Sequence, residues 1–395
     1  MKVALISNEG GGISSVCYGL AYALSKRMIP TTIFTGASGN REVEKLNEYL
    51  DVIRVPFFDF PPRNLWFQLR NFRLLSKLLK DYTLVHGVSP GASVIFSFYK
   101  RKLKKPFVVT IHAVHRAALR AFIRTPLSCW SFSDFGVHVL EHPWHDFVIR
   151  GCLANSDHIV ACSFCTFNEL RAHYKNLPMN KVSVVYNGIN FDEIDNVEVH
   201  GENKDDRNGL SIVFAGRLFW LKGTVYLLKA LEILVQDFKD LNLKIFGKGP
   251  EEYRIKKFIS NAGLKDNVFF QGRVPHRDLI AEMKNSDLVV VPSLYEAQPM
   301  VALEAMACKE PVVAFDVPFA QEIIKDGYNG LLAQWCAHKR VKDIACSLSE
   351  KILLLLSDKK LRLRLGQKGH EYVKREHNWD IQINKYLKVY RNVTE

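Results

Sequence analysis

The chain has 395 residues, 48% of them hydrophobic, which suits two globular domains and excludes a disordered or fibrous chain. Its formal net charge of +13 implies an anionic partner. No apolar run reaches the roughly 18 residues of a membrane span, and the apolar part of MKVALISNEGGG is too short for a secretory leader, so a cytoplasmic protein is expected.

Short β-rich runs alternate with helical ones from end to end. KVALIS (2–7) predicts the first strand and ISSVCYGLAYALSKRM the helix that follows it. TTIFTG (31–36), VIRVP (52–56), LVHGV (84–88), FVVTIHA (107–113), HIVACS (158–163) and VSVVYNGI (182–189) continue the strand series. The polar stretch VEVHGENKDDRNG (197–209) interrupts the pattern. It restarts with LSIVFAGR (210–217), LKIFGKG (243–249), VFFQG (268–272), DLVVVPS (287–293) and PVVAF (311–315), with TVYLLKALEILVQDF among the intervening helices. Nearly continuous apolar strands separated by amphipathic helices mean parallel sheets covered on both faces. The expected architecture is α/β with two doubly wound, Rossmann-like domains, 1–192 and 210–376, joined by a linker over 193–209. Ligands in such folds bind beyond the carboxyl ends of the strands, so the cleft between the domains is the expected site.

The positive charge is concentrated. Between Phe60 and Arg124 there are thirteen Lys or Arg and one acid, Asp81. In RNLWFQLRNFRLLSKLLKD the cations Arg70, Arg73, Lys77 and Lys80 fall on one helical stripe, with Leu65, Phe72, Leu75 and Leu79 opposite and Trp66 beside the cations. Arg116, Arg120 and Arg124 repeat the pattern at a spacing of four, and YKRKLKK lies between. A solvated helix face usually mixes signs; one with almost no acids suits anionic lipid headgroups, at about 1 kcal/mol per basic residue. A protein held peripherally at a membrane surface, with a lipid-bearing partner, is therefore expected. A nucleic-acid binder would use the same charge, but the chain has no base-stacking module and its acidic motifs would go unexplained.

Two further patterns are weighed and set aside. Cys162 and Cys165 have CxxC spacing without a second pair or a thioredoxin-like surround, and the eight cysteines suit reduced thiols. His138, His142 and His145 could approach a metal, but Pro143 is expected to interrupt their helix, so a loop facing acceptor or lipid is the preferred reading.

The second strand series carries the chemistry. In VFAGRLFWLKG a strand ends at Gly216, and Arg217 and Lys222 follow in the strand-to-helix loop, where a guanidinium and an ammonium could clamp a diphosphate. In VPSLYEAQPMVALEAMACKEPVV a helix is predicted from Pro299, whose first amides, from about Met300 and Val301, offer an anion site. Glu296 precedes that helix and Glu304, eight residues on, lies inside it among apolar neighbours. A carboxylate there needs a partner: a lysine or backbone amide of the protein, or a sugar diol that donates two hydrogen bonds side by side.

GRLFWLKG, the Glu296/Glu304 spacing in its LEAMA…PVVA frame and the early GGGI together resemble a retaining glycosyltransferase of family 4 with the GT-B fold, over nearly the whole chain. By that resemblance Arg217 and Lys222 hold the donor diphosphate, Glu304 takes the ribose hydroxyls and Glu296 the transferred sugar. The backbone from Gln298 through Pro299 and Met300 to Val301 meets sugar and phosphate, and Gly11 and Gly12 lie near the donor phosphate and acceptor. His112 lines the reacting centre, and Arg273 and Val274 meet the base. The resemblance further implies that 377–395 forms a last helix crossing back to the first domain. It implies a UDP- or GDP-sugar as co-substrate, no resident cofactor and no metal; the chain has no Asp-x-Asp motif. The sequence departs from the family in Ala297, Gln298 and Pro299, where Gly-Phe-Gly is usual, and in Val317, Pro318 and Phe319 before Gln321–Glu322, where Gly-Gly is usual. Both departures touch the expected sugar-binding rim. A GT-B epimerase or phosphorylase is the alternative within the fold.

Overall fold

The computed structural model describes residues 1–7, 12–37, 40–57, 63–123, 142–199, 204, 209–337 and 339–395. The chain divides into two compact units, Met1–Ala117 with Glu141–Gly188 and Asn378–Glu395, and Ala118–Leu140 with Ile189–His377. It re-enters the second unit at Ile189, passes directly into a short helix Phe191–Asp195, and leaves after His377.

The first unit is built on an eight-stranded sheet: β1 (Val3–Ile6), β2 (Thr31–Ala37), β3 (Glu42–Asn47), β4 (Leu50–Pro56), β5 (Leu84–Gly87), β6 (Phe107–Ile111), β7 (His158–Ala161) and β8 (Val182–Val184). Their order is β3-β4-β2-β1-β5-β6-β7-β8, and all pairings are parallel except β3 against β4. Every strand expected from the apolar runs is present. The sequence reading missed β3, whose residues EVEKLN are almost wholly exposed. A charged strand on a sheet edge carries no apolar signal and shields that edge from further pairing.

Helices Gly12–Lys26, Arg63–Leu78, Pro90–Leu103 and His142–Asn155 are among those in this unit. Pro143 does not interrupt the last of these, contrary to expectation; it occupies the first turn, where its missing N–H costs nothing. His145 on that helix stacks on His115, with ring centroids 3.7 Å apart. His138 lies outside the described residues.

The C-terminal helix Trp379–Thr394 belongs to this unit. It is held by a buried polar chain as well as by apolar packing. His86 in the middle of β5 bonds the Tyr390 hydroxyl at 2.7 Å through Nδ1 and the Thr110 hydroxyl at 2.8 Å through Nε2. Burial is the main reason the His86 imidazole is pushed down to about 3, so it is neutral at physiological pH.

The second unit has a six-stranded, wholly parallel sheet: β9 (Ser211–Ala215), β10 (Asn242–Phe246), β11 (Val268–Gly272), β12 (Leu288–Val291), β13 (Val312–Phe315) and β14 (Leu331–Ala333). The order is β11-β10-β9-β12-β13-β14. The chain builds outward from β9 in one direction, then returns to the other side of β9 with β12. Their carboxyl ends flank the point where strand order reverses, the place where doubly wound sheets open to a ligand. The three-residue β14 was too short to call from its pattern. No helix among the described residues is long and apolar enough to cross a membrane.

Candidate functional site

The loops after β9 and β12 meet at that reversal point. After β9 the chain runs through Gly216 and Arg217 into a tight turn, Trp220–Lys222, before the helix Thr224–Leu234. Gly223 ends the turn with φ +69°, and a Cβ there would stand 1.8 Å from the carbonyl oxygen of Pro292. Only glycine lets this turn lie against the end of β12. The Leu294 amide then donates to the Leu221 carbonyl at 2.7 Å, tying the two loops together.

That closeness brings Lys222 to Glu296. The ammonium lies 2.8 Å from Glu296 Oε1, and the Ser293 hydroxyl donates to the same oxygen at 2.6 Å. Neither bond uses Oε2. An ammonium carries three N–H donors, so pairing with Glu296 leaves Lys222 capacity for a second anion. Arg217 is exposed and its guanidinium sits over the Phe219 ring, 4.2 Å from the centroid, which holds a long side chain beside the same mouth. Ser293 gave no signal in the sequence, since its role depends on where the two loops meet.

The helix expected at Pro299 spans Met300–Ala307 with Pro299 as its N-cap residue. The Ala302 and Leu303 amides bond the Pro299 carbonyl. The amides of Met300 and Val301 precede the first intrahelical donor, Ala302, and are the ones available to an anion. Glu304 is buried one turn in, and its partner is neither a lysine nor a backbone amide. His276 Nε2 stands 3.0 Å from Glu304 Oε1, and His276 Nδ1 stands 3.2 Å from Glu193 Oε1. Hydrogen bonding to Glu193, then to Glu304, raises the imidazole to about 10 against the opposing effect of its burial. His276 was not singled out from sequence; it lies 28 residues from Glu304 and 83 from Glu193.

The remaining candidates divide between the units. Gln298 is buried, and its amide Nε2 lies 3.1 Å from His377 Nδ1, so its side chain is engaged inside the protein rather than on an open rim. Val274 is half-buried and Arg273 exposed in the turn after β11. In the first unit Gly12 opens the helix Gly12–Lys26, with nothing among the described residues beyond its own helix backbone within 4 Å of where a Cβ would stand, and Gly11 lies outside the described residues. His112 follows β6. Its Nε2 is shut off from solvent with no hydrogen-bond partner among the described residues. Burial holds this ring down near 4, partly offset by a hydrogen bond to the Val88 main chain. A neutral imidazole that donates to a carbonyl from one nitrogen presents a lone pair on the other, so His112 Nε2 is an acceptor in want of a donor.

The basic region is less uniformly free than its composition implies. Arg70, Arg73, Lys77 and Lys80 are all exposed, on and just beyond the helix Arg63–Leu78, with Leu75 and Leu79 buried opposite. Trp66 is half-buried rather than projecting with the cations, and the exposed apolar residue on that face is Leu69. Arg116 is spent on Asp146, a two-point contact at 2.7 and 3.0 Å, and Lys100 pairs with Asp157. Arg124 lies outside the described residues. Among the described residues no group of three or more His, Cys, Asp or Glu is arranged to hold a metal.

Two family models match the chain, Glycosyltransferase Family 4 over residues 10–193 and Glycosyl transferases group 1 over residues 195–372. An uncharacterized glycosyltransferase of Methanocaldococcus jannaschii is 29% identical over 365 residues, 88% of this chain and 87% of that one. A phosphatidyl-myo-inositol mannosyltransferase of Mycobacterium leprae is 27% identical over 317 residues, 79% of this chain and 74% of the relative. The crystal structure of Anabaena HepE in complex with UDP and glucose superposes with a TM-score of 0.71 at 17% identity, covering 99% of this chain and 100% of that one. The two matches meet between residues 193 and 195 and together cover every strand of the two sheets except β1, and the fold agrees with them: the chain is a GT-B glycosyltransferase of the group 1, family 4 type.

Proposed function

We propose that this enzyme transfers a hexosyl group from a nucleotide-diphosphate sugar to a glycan acceptor carried on a lipid, with retention at the anomeric carbon and without a metal. The observation that carries the reading is the Lys222–Glu296 pair where the β9 and β12 loops are tied together, with the helix Met300–Ala307 that bears Glu304 following directly from the β12 loop. Breaking the anomeric bond sends its electron pair to the diphosphate. Lys222, Arg217 and the Met300 and Val301 amides are fixed donors for that growing negative charge, the task a metal performs in other transferases. Glu296, held by Ser293 and Lys222 through Oε1, keeps Oε2 for a hydroxyl of the sugar. Glu304 takes the ribose. Val274 meets the base through its main chain. His112 accepts from a sugar hydroxyl through Nε2, which would satisfy its orphaned lone pair. The acceptor hydroxyl attacks from the face the diphosphate leaves and passes its proton to the departing phosphate oxygen on that face; no carboxylate is assigned to a covalent intermediate.

Support for UDP as the nucleotide comes from the UDP and glucose of the structural neighbour, and the mannosyltransferase named among the relatives supports a hexosyl group; GDP is the other nucleotide that the family resemblance implies. The phosphatidyl-inositol acceptor in that relative's name and the exposed row Arg70, Arg73, Lys77 and Lys80 favour a lipid acceptor at an anionic membrane surface. The test is a thermal-shift panel of UDP-, GDP- and ADP-sugars followed by transfer assays with membrane extract, in which nuclear magnetic resonance reads the product anomer. Lys222→Ala and Glu304→Ala are expected to cripple transfer. Wild-type kcat/KM in either variant overturns the site, and an inverted product overturns the mechanism.

A further inference from the structure

The contacts of His276 have a consequence for the nucleotide site. An ionised carboxylate only accepts hydrogen bonds. A ring lying between Glu193 Oε1 and Glu304 Oε1 must therefore donate from both nitrogens, and only the imidazolium has two N–H groups. The cation's position is otherwise unfavourable. His276 is the first residue of the helix His276–Lys284, where a positive charge opposes the helix dipole. The two carboxylates offset that opposition, so the cation is placed there for them and not for the helix.

We propose that His276 is a positioning residue for nucleotide binding: it grips Glu304 by one oxygen, braces itself on Glu193, and leaves the other Glu304 oxygen for the ribose hydroxyls. The inference rests on the assignment of Glu304 to the ribose. Glu304 has a side chain only 12% exposed; without a cationic partner it would swing toward water, which removes an acceptor for the diol. Glu193 holds the ring from the opposite side, on the short helix Phe191–Asp195 where the chain re-enters this unit. His276 also stands two residues after Val274, so a single turn after β11 carries both the expected base contact and the brace on the ribose carboxylate.

The test is calorimetric titration of the full chain with UDP and 2′-deoxy-UDP, and with GDP and 2′-deoxy-GDP, using whichever pair binds. Wild type is expected to prefer the ribonucleotide by about tenfold or more, the worth of a charge-assisted hydrogen bond. His276→Asn should bring that preference close to one while leaving affinity for the deoxy nucleotide unchanged, since the diphosphate donors are untouched. His276→Arg should restore part of the preference, because a guanidinium can reach both carboxylates. A purely structural role would weaken both nucleotides alike and would not be rescued by Arg. The proposal is overturned if His276→Asn keeps the wild-type preference, with His276→Gln as the second variant should Asn fail to fold. A wild type that binds neither pair, or binds ribose and deoxyribose equally, overturns the Glu304 assignment itself.

Discussion

Gly223→Ala tests the geometry of the site with the least chemical change. The residue has φ +69°, and its missing Cβ would stand 1.8 Å from the Pro292 carbonyl oxygen. Gly263 provides a matched control: it has the same φ, +69°, follows the helix Glu252–Asn261, and has nothing within 4 Å of its Cβ position. Both substitutions place alanine in the left-handed region, at about 1–2 kcal/mol. Only Gly223→Ala adds a backbone overlap that no side-chain rotation can relieve, worth a further 1–3 kcal/mol or so by analogy with overpacked cores. Chemical denaturation should therefore separate the variants by roughly 1–3 kcal/mol. Because the clash pushes the Trp220–Lys222 turn away from β12, Gly223→Ala should also raise KM for the donor, whereas Gly263→Ala should leave it unchanged. If Gly223→Ala is no less stable than Gly263→Ala and keeps its donor KM, the two loops are not packed as described and the Lys222–Glu296 pair has no fixed geometry.

Three further outcomes follow from the same structure. Tyr390→Phe leaves His86 Nδ1 buried without its partner and should cost about 1–3 kcal/mol, measurable as a lower urea midpoint; an unchanged midpoint would show that the C-terminal helix does not depend on that bond. His86 and His112 are held at about 3 and 4, below the ordinary 6.5, so the stability from keeping them neutral is complete above 6.5 and is lost as pH falls toward those values. By pH 5 the two together should cost roughly 4 kcal/mol, and a stability profile flat from pH 6.5 to 5 would refute their burial. Arg70→Glu/Arg73→Glu/Lys77→Glu should reduce binding to phosphatidylglycerol-containing vesicles by at least tenfold, given about 1 kcal/mol for each exposed cation at an anionic surface; equal cosedimentation of variant and wild type would remove that face from any membrane role.

The parts of this protein legible in its sequence are those set by local regularity. Twelve strands were marked by continuous apolar runs, because a strand buried on both faces has no solvent side on which to alternate. The eight-residue spacing of Glu296 and Glu304 and the turn at Pro299 placed one carboxylate before a helix and one inside it, as the structure has them. β3 was invisible because an exposed edge strand is built from charge rather than apolar pattern. The basic composition of 60–124 overstated its freedom, since Asp146 and Asp157, which neutralise Arg116 and Lys100, lie outside that window.

What the tertiary structure alone decided is which distant groups meet. Strand order puts β12 beside β9, and that adjacency, not any motif, delivers Ser293 and Glu296 to Lys222 across about seventy intervening residues. The same holds for His276, brought between Glu193 and Glu304 from a different loop, and for His86, which waits for Tyr390 at the far end of the chain. Periodicity records which face of an element is buried; it carries no record of what that face is buried against. A buried carboxylate or imidazole announces from sequence that it needs a partner, and only the folded sheet says which one it has.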